Sequence, residues 1–506
     1  NPIEEKKAAD FVLDARRCGL VVFITDCGAG GFSSAAGEML SEVGGNLYLE
    51  RAPLKEPGMT SWEIFLSESQ ERMVLAVEEG ALPQLRELAK TYETELTEIG
   101  ESDHSGILKV WHDGELVCEL DNSRLHDAPV RQMRSEFTPG SGQTGEEWEE
   151  GNLVDALGGL LSDFAVCSRE PIIREYDHEV QGNTVLKPLA GASGDAPQDA
   201  SVVRIDGSEK LMAMGVALLP EWGKSDPRAM GRGTVDECVR SLVVAGANPE
   251  RIALLDNFCV GNPDNPRELG MLVETCKGIA EAAEAYDAPF VSGKDSFHNY
   301  FETEQGPVTI PTTCLISGMG IVEQQSHVTG ASIRKADSVL AVVGCGGPDM
   351  GGSVYARVKG VLGGKVPELD PESAMDSYRK FHQAVTRGLI LAAHDISEGG
   401  LAVAIAEMGF SLQAGLEIDL DALPVKGSPG MVARLFGESP SRILIEVDEA
   451  SSHQVEELFT DTEFAVIGRT SSAHSRLRFT ERGESVLDTE LASLKDQWKN
   501  VLTHYY

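Results

Sequence analysis

Asp26 stands directly before a turn with three glycines in four positions, within the stretch TDCGAGGFSSAAGEM (residues 25–39). A carboxylate at the end of a strand is a suitable ligand for Mg²⁺, which prefers oxygen donors. Glycine-rich turns at the start of a helix expose backbone N–H groups that bind phosphate. The same residues also suit a plain helix N-cap after a tight turn. The stretch alone therefore leaves both a metal–phosphate site and a purely structural turn open.

A second polar set lies in the stretch SESQER (residues 67–72). Glu68, Ser69 and Gln70 carry side chains that can orient a polar substrate. The alternative is an exposed loop without a ligand. Arg72 can pair with an acid or hold neighbouring strands together, and we favour this structural role for it.

Two further polar clusters follow apolar runs that are typical of buried strands, in LLDNFCVGNP (residues 254–263) and VSGKDSF (residues 291–297). Ligands of α/β proteins often bind beyond the carboxyl ends of such strands. Asp256 is suited to hold a base or a metal ion, and Ser296 is suited to donate to a phosphate. Two Asx-type turns would give the same pattern without any ligand, so both interpretations stay open.

The chain repeats these motifs about 369 positions further on. HDISEGGLAVAIAEM (residues 394–408) repeats the glycine turn and the helix after it, and Asp395 matches Asp26. GESPSR (residues 437–442) repeats SESQER, with Pro440 in place of Gln70. We infer two copies of one domain, of which only the first keeps the complete polar set for a substrate.

Both copies predict the same order of elements. A helix leads into a buried strand, the Asp–Gly turn and a second helix; a long loop, a strand, a helix and a last strand follow. The region between the copies predicts strands together with two helices, one of them long and amphipathic. At 506 residues the chain is too long for one core, so we predict several mixed α/β domains.

Composition excludes several classes of partner. The chain has 43 basic and 81 acidic residues, a formal net charge of −38, and such a surface repels nucleic acid and anionic membranes. No apolar run of eighteen residues is present to span a bilayer. The nine cysteines form no CxxC pair, which favours buried thiols in a reducing cytosol. We expect His298 and His394 to be solvated, without a catalytic role.

Taken in order, the motifs resemble those of phosphoribosylformylglycinamidine synthase (FGAM synthase), a purine-biosynthesis family. They are TDCGAGGFSSAAGEM, LSESQERM, LLDNFCVGNP, VSGKDSF, HDISEGGLAVAIAE and LFGESPSRI, and they cover nearly the whole chain. The resemblance implies an α/β (α+β) fold of the aminoimidazole ribonucleotide synthetase type. Duplicated C-type domains (residues 1–150 and 336–506) would flank one N-type domain (residues 151–335). It also implies that the family's first N-terminal domain, with its catalytic histidine, is missing here.

The resemblance implies an ATP-dependent ligase of the cytoplasm. ATP would phosphorylate the amide oxygen of formylglycinamide ribonucleotide, and ammonia would then displace phosphate to give the amidine. Mg²⁺ would neutralise charge on the phosphates. A glutaminase, either a separate subunit or a fused domain, would supply the ammonia. Without the missing domain we expect the chain alone to be inactive.

Site residues follow from the resemblance position by position. It implies that Asp26 binds Mg²⁺. It implies ATP contacts for three residues, Asp256, Gly293 and Lys294. It implies substrate contacts for four residues, Glu68, Ser69, Gln70 and Ser296. Lys294 departs from the shorter form of the enzyme, which has a metal-binding asparagine there; a lysine cannot coordinate Mg²⁺ but can reach a phosphate. A structural nucleotide beside Asp395 is a further expectation.

Two other interpretations remain. Another superfamily kinase, such as selenophosphate synthetase or thiamine-phosphate kinase, would share the fold, but the tandem C-type domains and SESQERM argue against it. A non-catalytic or regulatory paralogue would also lack the first domain, but the intact Asp26, Glu68–Gln70 and Asp256 argue against a decayed site.

Overall fold

A computed structural model describes residues 2–69, 71–126, 130–138, 148, 151–176, 178–361, 363–412 and 414–505. The chain splits into two compact units, Asn1–Gln132 and Met133–Tyr506. Among the described helices, none combines the length and apolar character that a membrane crossing needs.

The first unit is a small α/β domain. Its helices are α1 (Pro2–Arg17), α2 (Gly31–Met39), α3 (Ser61–Leu66), α4 (Leu82–Tyr92) and α5 (Asn122–His126). Its strands are β1 (Phe23–Asp26), β2 (Gly45–Tyr48), β3 (Met73–Ala76), β4 (Gly100–Ser102), β5 (Ile107–His112) and β6 (Glu115–Asp121). The described strands form a β1–β3 ladder and a separate sheet in the order β4-β2-β5-β6.

The second unit contains the other two predicted domains. Its helices are α6 (Leu153–Leu161), α7 (Glu170–Glu175), α8 (Pro220–Gly223), α9 (Pro227–Val244), α10 (Pro266–Tyr286), α11 (Val354–Val358), α12 (Pro371–Thr386), α13 (Gly400–Gly409), α14 (Met431–Phe436), α15 (Ser452–Leu458) and α16 (Leu491–Lys499).

The strands of the second unit fall into two large sheets and two short hairpin-like pairs. They are β7 (Thr184–Leu186), β8 (Leu189–Ala190), β9 (Ala196–Pro197), β10 (Ser201–Arg204), β11 (Leu211–Ala217), β12 (Ile252–Cys259), β13 (Phe290–Ser296), β14 (Tyr300–Thr303), β15 (Gly306–Thr309), β16 (Thr313–Val322), β17 (Val339–Val343), β18 (Ile390–Asp395), β19 (Gly415–Asp419), β20 (Ile443–Val447), β21 (Phe464–Ser471), β22 (Arg476–Glu481) and β23 (Glu484–Glu490).

A six-stranded sheet in the order β13-β12-β16-β11-β10-β7 forms the middle of the chain. Helices α9 and α10 pack against each other, and α9 also contacts β11, β16 and β18. Asp226 caps α9 and Asn265 caps α10, each followed by a proline at the first helical position, which is a preferred helix start. Because α9 has neighbours on several sides, nearly all of its side chains are buried.

The last part of the chain folds around a seven-stranded sheet in the order β18-β20-β17-β21-β19-β22-β23. Its strands β17 and β20 are buried along their whole length. This explains why their sequences, VLAVV and ILIEV, are almost continuously apolar rather than alternating.

The predicted repeat is confirmed strand by strand. In the first unit β1 runs antiparallel to β3, with Phe23 opposite Ala76 and Asp26 opposite Met73. In the second unit β18 runs antiparallel to β20, and Asp395 lies opposite Ile443. The two ladders therefore have the same register, and α1, β1 and α2 correspond to α12, β18 and α13.

The glycine turns have the same geometry in both copies. Gly31 and Gly400 have φ values of 55° and 69°, in the left-handed region that side chains disfavour. A Cβ on Gly31 would lie 2.3 Å from the Ser67 carbonyl oxygen, and a Cβ on Gly400 would lie 2.7 Å from the Gly437 carbonyl oxygen. Each turn thus requires glycine both for its backbone conformation and for this close approach.

Gly400→Ala is expected to destabilise the second unit by about 2–5 kcal/mol, the sum of left-handed strain and overpacking. Gly388→Ala is the matched control, because Gly388 also has a φ of 69° but nothing lies within 4 Å of its added Cβ. It should cost only about 1–2 kcal/mol. Urea denaturation measures both; equal losses would show that the close approach has no energetic role.

Candidate active site

The Asp26 turn and the SESQER loop lie at the same end of the β1–β3 ladder. Asp26 ends β1 opposite Met73, the first residue of β3, and the Cys27 N–H donates to the Arg72 carbonyl oxygen at 3.0 Å. Glu68 and Ser69 precede this point and are exposed, as is Asp26. Antiparallel pairing thus brings the predicted metal ligand and two predicted substrate residues to one end of the ladder. Gln70 lies outside the described residues.

Arg72 has the structural role that we favoured. Its guanidinium donates from Nη2 to the Ser67 carbonyl oxygen at 2.6 Å and stacks over the Phe32 ring at 4.0 Å. Arg442 repeats this arrangement, because its Nη2 donates to the Gly437 carbonyl oxygen. Burial lowers the pKa of Arg442 to about 10. Both arginines therefore fasten the loop before the strand.

The predicted ATP residues lie side by side on two parallel strands. In the β12–β13 pair, Asp256 is opposite Gly293, and Cys259 is opposite Ser296. The interpretation as Asx-type turns is wrong, because both strands continue through the polar clusters instead of ending before them. A Cβ on Gly293 would lie 2.3 Å from Asp256 Oδ1, so the glycine leaves room for this carboxylate.

These residues divide between the two faces of the sheet, because successive side chains of a strand point to opposite faces. Asp256 interacts with the Asp295 carboxylate; burial and then this like charge raise the pKa of Asp256. Lys294, on the other face, donates from Nζ to Ser296 Oγ at 2.9 Å. One face thus offers a carboxyl pair, and the other offers an exposed ammonium beside a hydroxyl.

A cluster of buried charged side chains surrounds Arg240, and the sequence motifs did not predict it. Arg240 on α9 is 2% exposed and forms an ion pair with Asp236 one turn earlier. Its Nη2 lies 3.6 Å from Asp395 Oδ2. Asp236 also accepts hydrogen bonds from the hydroxyls of Tyr286 and Tyr378. The available signal was an acid and an arginine spaced i, i+4 on one predicted helix.

The prediction that His394 is solvated is wrong. The side chain lies in β18 and is buried, with Nδ1 2.6 Å from Asp199 Oδ1 and Nε2 3.0 Å from Glu407 Oε2. Burial alone would lower the pKa of His394, but the carboxylates of Asp199 and Glu407 raise it well above its ordinary value. The apolar run before His394 was the signal for a strand. His298 is exposed, as predicted.

Asp199, His394 and Asp395 place one ligand atom each within 4.8 Å of one another, a spacing at which they could hold a metal ion. Asp199 Oδ2 has no hydrogen-bond partner in the described part of the chain. Burial and then the Asp199 carboxylate raise the pKa of Asp395 to about 7. Arg240 already brings a permanent positive charge to this carboxylate.

The cavity beside the second glycine turn is very small. Its volume is about 10 Å³, and its lining includes Glu237, Arg240, Glu398 and Glu438. This is room for about one water molecule. The structural nucleotide beside Asp395 stays a prediction.

Glu438, which corresponds to Glu68, points inward. Its Oε1 accepts from the N–H groups of Val354 at 2.9 Å and Gly399 at 2.7 Å. Burial raises the pKa of Glu438 to about 8. The first copy presents this glutamate to solvent, whereas the second copy uses it to hold its own glycine turn. This agrees with the inference that only the first copy keeps the polar set for a substrate.

Sequence comparison identifies the domain family. The description "AIR synthase related protein, C-terminal domain" matches residues 1–113 and 337–479, and "AIR synthase related protein, N-terminal domain" matches residues 197–319. The predicted fold class, duplicated C-type domains that flank one N-type domain, is confirmed. The exact limits of the three domains stay a prediction.

Curated relatives match almost the full chain. Phosphoribosylformylglycinamidine synthase subunit PurL of Thermococcus sibiricus is 32% identical over 497 residues, which are 98% of this chain and 67% of the relative. The subunit of Methanocaldococcus jannaschii is 34% identical over 498 residues, 96% of this chain and 66% of the relative. The chain thus spans about two thirds of the length of these relatives.

Solved structures share the fold. Thermotoga maritima PurL complexed with ATP superimposes with a TM-score of 0.64 at 22% identity, over 93% of this chain and 67% of that one. The same protein complexed with FGAR gives a TM-score of 0.63 at 23% identity, over 92% and 64%.

Proposed function

Because the chain belongs to the phosphoribosylformylglycinamidine synthase (PurL) family, we propose that it forms part of an ATP-dependent ligase of purine biosynthesis. The reaction converts formylglycinamide ribonucleotide and ammonia to formylglycinamidine ribonucleotide. ATP transfers a phosphoryl group to the amide oxygen, and ammonia then displaces phosphate. The observation that carries the proposal is the pairing of β1 with β3, which brings the Asp26 turn and the Glu68–Ser69 loop to one end of the first unit.

In this proposal, residues of the first unit bind Mg²⁺ and the ribonucleotide substrate. Asp26 is exposed, and a Cβ on Gly28 would lie 2.7 Å from Asp26 Oδ2, so the turn is shaped around the carboxylate. An oxygen donor of this kind fits Mg²⁺, which would neutralise phosphate charge. Glu68, Ser69 and Gln70 would orient the ribonucleotide.

The second unit supplies groups for ATP and for the substrate. Gly293 would let a phosphate or base approach the strand closely, and Asp256 would accept a hydrogen bond from the nucleotide. Lys294 would pair with a phosphate, because its ammonium is exposed and held by Ser296. Ser296 would then donate its hydroxyl hydrogen to the substrate.

The proposal also covers the ammonia source, the partner and the compartment. We propose that a glutaminase, either a separate subunit or a fused domain, delivers ammonia to this ligase. A cytoplasmic location is supported by the cysteines, since all nine are free thiols and disulfides are rare in reducing compartments.

The test is an ATP- and ammonia-dependent assay of formylglycinamide ribonucleotide conversion, with the full gene product. Asp26→Asn should lower kcat/KM about 100-fold and raise the Mg²⁺ concentration that gives half-maximal rate. Asp113→Asn is the control, because Asp113 lies exposed in the β5–β6 turn and its left-handed φ of 50° suits asparagine.

Two outcomes would contradict the proposal in different ways. Unchanged turnover in Asp26→Asn would reject the metal assignment alone. A folded wild-type product that binds neither ATP nor the ribonucleotide would favour a non-catalytic paralogue.

A further inference from the structure

A cavity beside helix α11 lies where the N-type domain meets the last C-type domain; we call it the α11 cavity. Its volume is about 420 Å³, within the range of about 300–1,000 Å³ that is usual for small-molecule sites. The end of α8, helix α11 and the loops on both sides of α11 line it. The residues that decide its chemistry are Glu221, Lys224, Gly352, Ser353, Arg357 and Gly363.

Two cationic side chains line the α11 cavity. The Lys224 ammonium is 43% exposed and lies 2.6 Å from the Glu221 carboxylate. Arg357 donates from Nη2 to Asp163 Oδ1 at 2.5 Å, whereas its buried Nε has no hydrogen-bond partner in the described part of the chain. Glu221 is the one acid among the described lining residues. On a chain with a net charge of −38, this local excess of positive charge favours an anionic ligand.

Ser353 adds an unused hydrogen-bond donor to the cavity. The side chain is buried, with 1% exposure. Its Oγ accepts from the Ala356 N–H at 3.1 Å, but its hydroxyl hydrogen meets no acceptor among the residues that the structure describes. Buried hydroxyl groups normally donate as well as accept. An oxygen atom of a ligand in the cavity would complete this hydrogen bonding.

The glycine-rich loops around α11 form a tightly packed backbone wall. A Cβ on Gly351 would lie 2.5 Å from the carbonyl carbon of Gly364, and a Cβ on Gly352 would lie 2.7 Å from Trp222 Cδ1. No side chain therefore fits between these segments and the cavity. The N–H groups of Gly352 and Gly363 have no partner within the described ranges, so they are further donors at the wall. Loops of this kind commonly bind anions through their backbone amides.

We propose that the α11 cavity binds an organic phosphate monoester, the phosphate lying against Lys224, Arg357 and Ser353. A phosphate monoester carries three terminal oxygens and up to two negative charges, which suits an ammonium, a guanidinium and a hydroxyl better than a carboxylate does. The remaining volume, with Val361 in the wall, suits a sugar. None of these residues is assigned to the ligase reaction, so the inference goes beyond the proposed function and does not depend on it.

The test is isothermal titration calorimetry of the full chain with ribose 5-phosphate. Ribose and inorganic phosphate are titrated in parallel, because the first lacks the anion and the second lacks the organic part. Each should bind at least about 10-fold more weakly than ribose 5-phosphate, since charged hydrogen bonds are lost in the first case and apolar contact in the second.

Lys224→Met should weaken the binding of ribose 5-phosphate about 10-fold or more, because it removes a charged donor. Lys277→Met is the matched control. Lys277 also lies 2.6 Å from a glutamate three residues earlier and is 52% exposed, but it does not line the cavity. Its affinity should equal that of wild type.

Glu221→Gln should tighten the binding of ribose 5-phosphate about 5-fold. The variant removes the anion from the described lining and releases Lys224 from its ion pair. A gain of affinity is a readout that damage to the fold would not produce, so it complements the loss expected for Lys224→Met.

Four results would overturn the proposal. The first is no binding of ribose 5-phosphate at millimolar concentration. The second is equal affinity of wild type and Lys224→Met. The third is binding of ribose or of inorganic phosphate as tight as that of ribose 5-phosphate. The fourth is loss of binding in Lys294→Met but not in Lys224→Met, because this would place the probe in the proposed ATP and substrate site.

Discussion

Arg240→Met is expected to lower the free energy of unfolding of the second unit by about 3–5 kcal/mol. Arg240 is 2% exposed and Asp236 is fully buried, so the variant would leave an uncompensated carboxylate in the interior. Asp236 would keep its hydrogen bonds from Tyr286 and Tyr378, but no positive charge. Asp395 would lose its nearest guanidinium. Urea denaturation followed by tryptophan fluorescence measures the loss.

Arg379→Met is the matched control for Arg240→Met. Arg379 pairs with Glu250 at the surface, where both side chains are about half exposed or more, and such pairs contribute about 0–1 kcal/mol. Arg240→Lys should fall between wild type and Arg240→Met, because lysine retains the charge without the planar fork. A loss below about 1 kcal/mol in Arg240→Met would mean that solvent reaches the cluster.

Glu438→Gln is expected to flatten the dependence of stability on pH. The pKa of Glu438 is raised by burial from 4.5 to about 8, so the folded state holds its proton more tightly than the unfolded chain. This contribution to stability is therefore fully present below about pH 4.5 and is lost as pH rises through about 8. Relative to wild type, the variant should gain on the order of 3 kcal/mol between pH 5 and pH 9.

The measurement is a series of urea denaturations from pH 5 to pH 9. The variant should retain part of the wild-type dependence of unfolding free energy on pH. Burial also raises the pKa of Glu237, Glu398 and Asp395 nearby, and these groups remain in the variant. Glu68→Gln provides a control at the corresponding position of the first copy, where the side chain is exposed; its profile should match that of wild type. Parallel profiles for Glu438→Gln and wild type would contradict the buried-acid interpretation.

The fold could be predicted far better than the buried chemistry. The repeat and the Asp–Gly turns follow from local patterns, because a glycine pair after an apolar strand constrains the backbone wherever it occurs. The polar clusters at Asp256 and Ser296 were recognised, but they were placed at strand ends. Apolar periodicity could not show that β12 and β13 extend through them, because the apolar runs stop at Leu255 and Val291 while the pairing continues to Cys259 and Ser296.

The buried ion pairs needed three-dimensional information. His394 meets Asp199 across 195 positions of the sequence, and Asp236 meets Tyr378 across 142. No local pattern links such partners, and a histidine beside an aspartate is common in solvated loops. The burial of α9 on several sides was equally invisible, since its sequence has the charge content of an ordinary surface helix. Packing between domains, rather than propensity, decided these sites.

Both copies have a left-handed glycine under a neighbouring carbonyl. This affects how the D-x-x-x-G-G string should be interpreted when it is found in other sequences. A duplicated gene segment that no longer binds any ligand would still keep Gly31 or Gly400, because replacement there hinders folding itself. Purifying selection on folding alone would thus preserve the D-x-x-x-G-G string. The string marks common descent, whereas the glutamate that follows it is exposed in one copy, as Glu68, and points inward in the other, as Glu438.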